Sequence, residues 1–432
     1  MERDDTSIKS VEMERINSQR QGTILPISIN KDDIQSNMST LEQAFNEIGF
    51  GRFQWGLTLS CSFGFLVDQM LLVSISLTTP QSALEFGPKY QTLLSASLYA
   101  GLFAGALLLG GLADIVGRRL VWHGTIFGVS IFGLIAAASP NWAALNVFQA
   151  ILGFLGGGNL AIDLAILAES IPPRWSFILS GLASIWGIGN AITGLIAWPL
   201  LVNFGCASGS DPSTCPKSAN MGWRYLYIII GGLSLVMSFI RALVLRSRES
   251  PGWLISCGRI DEAVSVLNSI SATNKSEYRV RSDQFIPTSL ESPSQSLGET
   301  FHRARKLFVG PKQLRLVLLM VGMWAFVGIA YPLYTIFLPY YLAAHGAQLG
   351  NQSNYITYRD WAISSVVGIF GPCLSMWMVS TTFFRSRRSL FITGAACAAF
   401  SGAFTSVRTE AQNLAFSCMV NFWLNAVYAI IY

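Results

Sequence analysis

The stretch that decides the fold is GGLADIVGRR, Gly110–Arg119. It places one acid, Asp114, and two arginines, Arg118 and Arg119, between two long apolar runs. Each flanking run is near the 20 or so residues that a bilayer-crossing helix needs. Gly110, Gly111 and Gly117 allow two helices and a tight turn to approach closely. Asp114 can accept hydrogen bonds from the next helix terminus and from an arginine. The loop therefore reads as a latch that forms in one conformation and breaks in another.

The rest of the chain supplies the setting. Of its 432 residues 51% are hydrophobic and 12% charged, with a mean hydropathy of +0.45. A soluble domain carries about 25% charged residues, so much of this surface faces lipid. Ten apolar runs stand out, at about 56–77, 92–113, 119–138, 143–167, 177–202, 226–245, 316–341, 361–380, 390–406 and 414–432; the ninth is short. The fold class they predict is all-α and polytopic. The polar first 50 residues contain no cleavable signal peptide and read as a flexible tail. The expected organisation is a tail over 1–52, a six-helix bundle over 53–247, a connection over 248–313 and four further helices over 314–432.

Orientation follows from the connections, because Lys and Arg favour the cytosolic side. The tail, the Arg118–Arg119 loop, Arg174, the long connection with its ten basic residues, and Arg385, Arg387 and Arg388 form one alternate set. The other set holds little beyond Lys89, Lys217, Arg224 and Arg408. The N-terminus is thus expected inside, in the plasma membrane or an organelle membrane. Outside fall the sequon Asn351-Gln352-Ser353 and the pair Cys206 and Cys215, which can form a disulfide there or remain two thiols. In GRIDEAVSVLNSIS, Ile260, Val264, Leu267 and Ile270 repeat with helical spacing, and Asp261 and Glu262 suit a helix N-terminus.

Several function classes drop out. The basic residues form no stripe, so nucleic acid is not a partner. No phosphate-binding loop G-x-x-x-x-G-K-[ST] is present, which argues against a primary pump. His123, His302 and His345 are dispersed, and the cysteines have no zinc spacing, so no metal, cofactor or intramembrane enzyme is expected.

Five motifs in order carry a resemblance to the major facilitator superfamily. Gly110–Arg119 is similar to its loop G-x-L-A-D-x-x-G-R-R. GFLGGGNLAIDLAILAESIP, Gly153–Pro172, resembles the glycine-rich fourth helix of the sugar-porter and synaptic-vesicle-glycoprotein branches. RESPGWLISCGRIDEA resembles the segment after helix six, GFGRFQW the approach to helix one, and GIAYPLYTIFLPYYL helix seven. The resemblance implies two six-helix bundles, of which the sequence supplies six helices plus four. It also implies a central cavity lined by helices one, four, seven and ten. Departures are specific. Gln149 stands where the fourth helix often has arginine, Gly252 replaces an arginine, and STTFFRSRRSL puts Phe383 and Ser386 opposite Asp114 and Gly117.

The candidate cavity residues are Asp68, Gln149, Asn159, Asp163, Tyr331, Tyr334, Asn421 and Asn425. An ionisable group at membrane depth costs several kcal/mol and tends to have a task. Asp68 has two functional readings, cation recognition and proton coupling, beside a structural one. Asp163 reads as structural. The neutral side chains also suit helix-to-helix hydrogen bonds. The candidate inner gate is Asp114, Gly117, Arg118, Arg119, Glu169, Glu249, Arg387 and Arg388. Three glycines before Asn159 are expected to leave room around Asn159 and Asp163. Pro332 and Pro339 are expected to break span seven, and Trp122, Trp142 and Trp198 to anchor span ends in the membrane interface. The resulting expectation is a secondary transporter, a symporter in one form, of a small polar metabolite such as a sugar or organic acid. Its partners are that solute, protons and the bilayer. The alternative is a truncated paralogue or incomplete gene model that does not transport and serves as a scaffold or receptor.

Overall fold

In the computed structural model the described residues are 31–207, 210–244, 249–286, 308–332 and 354–431. They form helices α1 (Lys31–Ile48), α2 (Arg52–Phe86), α3 (Leu93–Val116), α4 (Arg118–Ala136), α5 (Trp142–Ser170), α6 (Phe177–Asn203), α7 (Gly222–Val244), α8 (Pro251–Ser256) and α9 (Ile260–Asn274). They continue with α10 (Pro311–Pro332), α11 (Asn354–Gly368), α12 (Phe370–Ser380), α13 (Arg385–Phe404) and α14 (Glu410–Ile431). Among the described residues nine stretches are long and apolar enough to cross a bilayer, with α11 and α12 together making one. The short ninth run, α13, is helical but falls below that standard.

Glycine decides the closest helix contact. On α3 and α5, Gly101, Gly105, Gly153 and Gly157 face the partner helix so closely that an added methyl would enter its backbone. A Cβ at Gly153 would lie 2.9 Å from the Leu102 nitrogen, and one at Gly157 2.9 Å from that of Ala106. Without a hydrophobic drive in lipid, such small-residue stripes let van der Waals packing hold helices together. This corrects the role expected for the glycines before Asn159: Gly157 packs on α3, and Gly158 meets Leu109.

Helix α2 has 35 residues and spans about 52 Å, well beyond the roughly 30 Å hydrocarbon core. Its far end is fixed by a polar cluster. Glu85 receives Arg224 at 2.7 and 2.8 Å and the Trp223 indole at 3.0 Å. Cys206 and Cys215 are disulfide-bonded, and Gln81 holds the backbone of Cys206 through both its amide atoms, at 3.1 and 3.2 Å.

At the opposite end lies a small second core. Leu41, Phe45 and Ile48 of α1 pack with Leu254, Leu267 and Phe285. Lys31–Ile48, expected within the flexible tail, is therefore helical, because its apolar residues recur on one face and find a partner. Asn274 ties this core to α2. It accepts from the Phe53 nitrogen at 2.9 Å and donates to the Gln54 side chain at 2.8 Å. Gly252 leaves a gap in which a Cβ would sit only 3.4 Å from Glu169 and 3.6 Å from Leu41.

The two groups of spans meet along α6. Ring contacts join Trp198 to Tyr355, and Gly187 and Gly194 admit Ile369 and Trp361. Helix α10 is described as far as Pro332; Pro339, Tyr334 and the sequon lie outside the described residues, as does the side chain of Tyr331.

Candidate functional site

The site grows from one amide. Asn159 on α5 has two N–H donors and one carbonyl acceptor, and every one is used. It donates to Asp68 Oδ2 of α2 at 2.9 Å and to Asp163 Oδ2 at 3.0 Å, and accepts from Arg241 Nη1 of α7 at 3.2 Å. Asn159 and Asp163 are one helical turn apart, which puts both on one face. Arg241 also pairs with Asp163 at 2.6 Å, and both side chains are fully buried. The guanidinium lies 3.6 Å over the Trp122 ring, whose indole N–H donates to Asp163. Gly64 makes this possible, since a Cβ there would fall 2.8 Å from Arg241 Nη1.

The charge balance around the amide is uneven. Asp163 has a cation, two N–H donors and an aromatic neighbour. Asp68 has only the Asn159 dipole. Its Oδ1 is buried with no hydrogen-bond partner among the described residues, on a side chain 6% exposed. That carboxyl forms part of the wall of a cavity whose water-accessible space is about 30 Å³. Leu71, Ile75, Leu102, Leu152, Leu160 and Trp186 supply most of the remaining wall, and Gly156 leaves space beside Oδ1. Asp68 is the one charged group on that wall among the described residues. A buried carboxyl without a partner is expensive, so such a position invites a proton or a cation.

The structure thus brings together Asp68, Asn159 and Asp163, while Gln149, Asn421 and Asn425 lie elsewhere. Gln149 donates to the Tyr227 hydroxyl at 2.9 Å, in a separate buried contact that includes Thr78. The guanidinium facing this region comes from Arg241 on span six. Asn421 donates to the Ser364 carbonyl at 3.1 Å, between spans of the second group, and Asn425 to Asn421 at 2.8 Å, within α14. Among the described residues the cavity wall lies in α2–α6, whereas the resemblance implied a cavity shared with helices seven and ten.

Trp122 is a second correction. It is buried completely rather than set at an interface, because its N–H has a carboxylate to satisfy. Arg241 and the Glu85–Arg224 pair at the other end of α2 were missed by sequence reasoning. Arg241 carried a usable signal: it is a charged residue inside the apolar run 226–245.

At one mouth of the bundle the latch residues assemble. Gly117 adopts φ 111°, a left-handed value that suits glycine, and turns α3 into α4. Arg118 pairs with Glu169 and reaches Asp114 at 3.4 Å. Glu249 accepts from the backbone nitrogens of Arg118 and Arg119 at 3.0 and 3.2 Å, placing an anion on the positive end of the α4 dipole. Ser250 donates to Glu169 at 2.9 Å, and the Trp253 indole to the Asp114 carbonyl at 2.9 Å. Arg119 contributes its backbone, while its side chain is exposed. In the second group, Arg388 bonds the Phe383 carbonyl at 2.9 Å and lies over the Phe383 ring, and Arg387 is exposed. Phenylalanine in place of an acid turns that copy from an ionic clasp into an arginine–aromatic contact.

Bilayer-length helices in two packed groups, with a carboxyl-bearing cavity and an ionic clasp at one mouth, define a multi-pass membrane carrier. The chain belongs to the major facilitator superfamily, whose family model matches residues 57–432. It is 33% identical to the MFS siderochrome iron transporter 1 of Ceriporiopsis subvermispora over 413 residues, 92% of this chain and 78% of that one. It is 34% identical to the major facilitator-type transporter hxnZ of Emericella nidulans, covering 91% and 74%. The niacin transporter NiaP of Acinetobacter baylyi is 25% identical, covering 91% and 82%. A similar fold is seen in the proton:xylose symporter XylE bound to 6-bromo-6-deoxy-D-glucose, with a TM-score of 0.61 at 17% identity, covering 88% and 80%. These matches support secondary transport as the activity.

Proposed function

We propose that the chain moves a small metabolite across a membrane by alternating access, with Asp68 as the group that recognises a cationic feature or takes up a proton. One observation carries this reading: a buried carboxyl oxygen without a partner, on the wall of a cavity inside a bundle of spanning helices. Asn159 holds that carboxyl in place, and Arg241 neutralises its neighbour Asp163. The Asp114–Arg118–Glu169–Glu249 clasp lies at the cytosolic mouth, the N-terminus on the same side, and the Cys206–Cys215 loop outside. As the two groups rock about α6, the clasp holds one of the two shapes.

The test is uptake into proteoliposomes over a radiotracer panel that includes the solutes named for the relatives, niacin, xylose and ferric siderophore, together with organic cations. Wild-type protein accumulates at least one solute, and Asp68→Asn loses that uptake or its dependence on pH while melting as wild type does. Unchanged uptake with an unchanged pH profile removes Asp68 from the mechanism. Glycan tagging near residue 351 and cysteine tagging near residue 280 report opposite sides of the membrane; the same side overturns the topology.

A further inference from the structure

We infer that the solute bound at Asp68 is an organic cation with an apolar body, rather than a sugar or an organic acid; this rests on the transport reading above. The cavity wall supplies the chemistry. A sugar needs a polar partner for most of its hydroxyls, and leaving them dry costs about 1–3 kcal/mol each. Among the described residues this wall is leucine, isoleucine, valine, glycine and Trp186, with Asp68 as its one charged side chain. An organic acid needs a cation or several N–H donors. The nearby guanidinium, Arg241, is already bound to Asp163 at 2.6 Å, to Asn159 at 3.2 Å and to the Trp122 ring. The amide of Asn159 is likewise fully engaged. Arg241 Nε is also without a hydrogen-bond partner among the described residues but is not on the cavity wall, where the charged group lacking one is an acceptor, Asp68 Oδ1.

An ammonium or pyridinium head fits that vacancy in three ways. It compensates the carboxylate that Arg241 leaves uncompensated, since Asp68, Asp163 and Arg241 together carry one more acid than base. It reaches Oδ1 through the space over Gly156, where even an added Cβ would stand 3.8 Å from the oxygen. Its apolar body packs on Leu71, Leu102 and Leu152, while Trp186 offers an aromatic face to positive charge. The water-accessible space is about 30 Å³, room for an ammonium-sized group beside Oδ1, and the apolar body enters as the bundle opens.

The experiment uses the full chain in lipid nanodiscs and tritiated 1-methyl-4-phenylpyridinium as probe. Saturable binding is expected, competed by other monovalent organic cations and not by biphenyl-4-carboxylate or xylose. Asp68→Asn weakens binding at least tenfold, and Gly156→Leu, which fills the space beside Oδ1, does the same. Both variants are checked against the wild-type melting temperature, and Asp68→Glu, which keeps the charge, retains measurable binding if the role is recognition. Equal competition by the carboxylate, or unaltered binding in Asp68→Asn, overturns the assignment. The two proposals fail separately. A chain that transports xylose or niacin and ignores the cation overturns the cation assignment and leaves transport standing. A chain that binds the cation through Asp68 but accumulates no solute keeps the assignment and overturns transport.

Discussion

Replacing Arg241 with methionine is the most direct probe of the buried charge cluster. Arg241 and Asp163 are both fully buried, so no water replaces the lost partner. The substitution removes a 2.6 Å ion pair, a 3.2 Å bond to Asn159 and a cation–π contact at 3.6 Å. Removing one member of a buried pair costs about 3–5 kcal/mol, most of it the uncompensated charge left behind. At roughly 2–4 °C per kcal/mol, the melting temperature in detergent falls by about 10 °C. Pairing the change with Asp163→Leu removes the stranded carboxylate. The double variant still leaves the Trp122 indole and part of Asn159 unsatisfied, at about 1–3 kcal/mol each. Recovery is therefore partial, and the coupling energy of the cycle is at least about 2 kcal/mol. The assay is thermal unfolding followed by tryptophan fluorescence, repeated for both single variants and the double. If Arg241→Met melts within about 2 °C of wild type, or the double variant loses the plain sum of the two single losses, Arg241 does not neutralise Asp163 and the charge balance drawn for Asp68 is wrong.

Other predictions follow from packing at named positions. Gly153→Val drives a side chain into the backbone of α3 near Leu98 and Leu102, and loses at least about 2 kcal/mol; equal stability to wild type, measured by thermal unfolding, contradicts the close α3–α5 contact. Cys206→Ser opens a loop with a sequence separation of 9, which chain entropy values at about 2.5 kcal/mol; the variant melts several degrees lower, and dithiothreitol no longer shifts its melting temperature. Asn274→Ala unties the second core from α2, so amide hydrogens of α1 exchange at least tenfold faster while those of α5 do not; uniform exchange in both shows that α1 is held by something else. Arg118→Gln breaks the pair with Glu169, and raises the accessibility of a cysteine placed in the clasp to a thiol reagent added from the clasp's side of the membrane; unchanged labelling removes Arg118 from the latch.

The sequence alone determined what one-dimensional periodicity and composition can carry. Runs of about 20 apolar residues specify spanning helices because no other backbone arrangement satisfies its hydrogen bonds in lipid, barrels apart. The Gly110–Arg119 loop specified a tight turn with an acid and two bases, and Asp68 was marked by its depth in an apolar run. Which partners those groups take was decided only by tertiary packing. Asn159 links Asp68 to Asp163 because α2 and α5 cross there, and Arg241 reaches them from 78 positions beyond Asp163 because Gly64 leaves room. Gln149 carries the same amide chemistry as Asn159, yet it meets Tyr227, because a helix rotates successive positions through about 100° and aims the two at different neighbours. Chain order records which charges exist, and the crossing of helices selects which of them are neutralised and which is left facing the cavity.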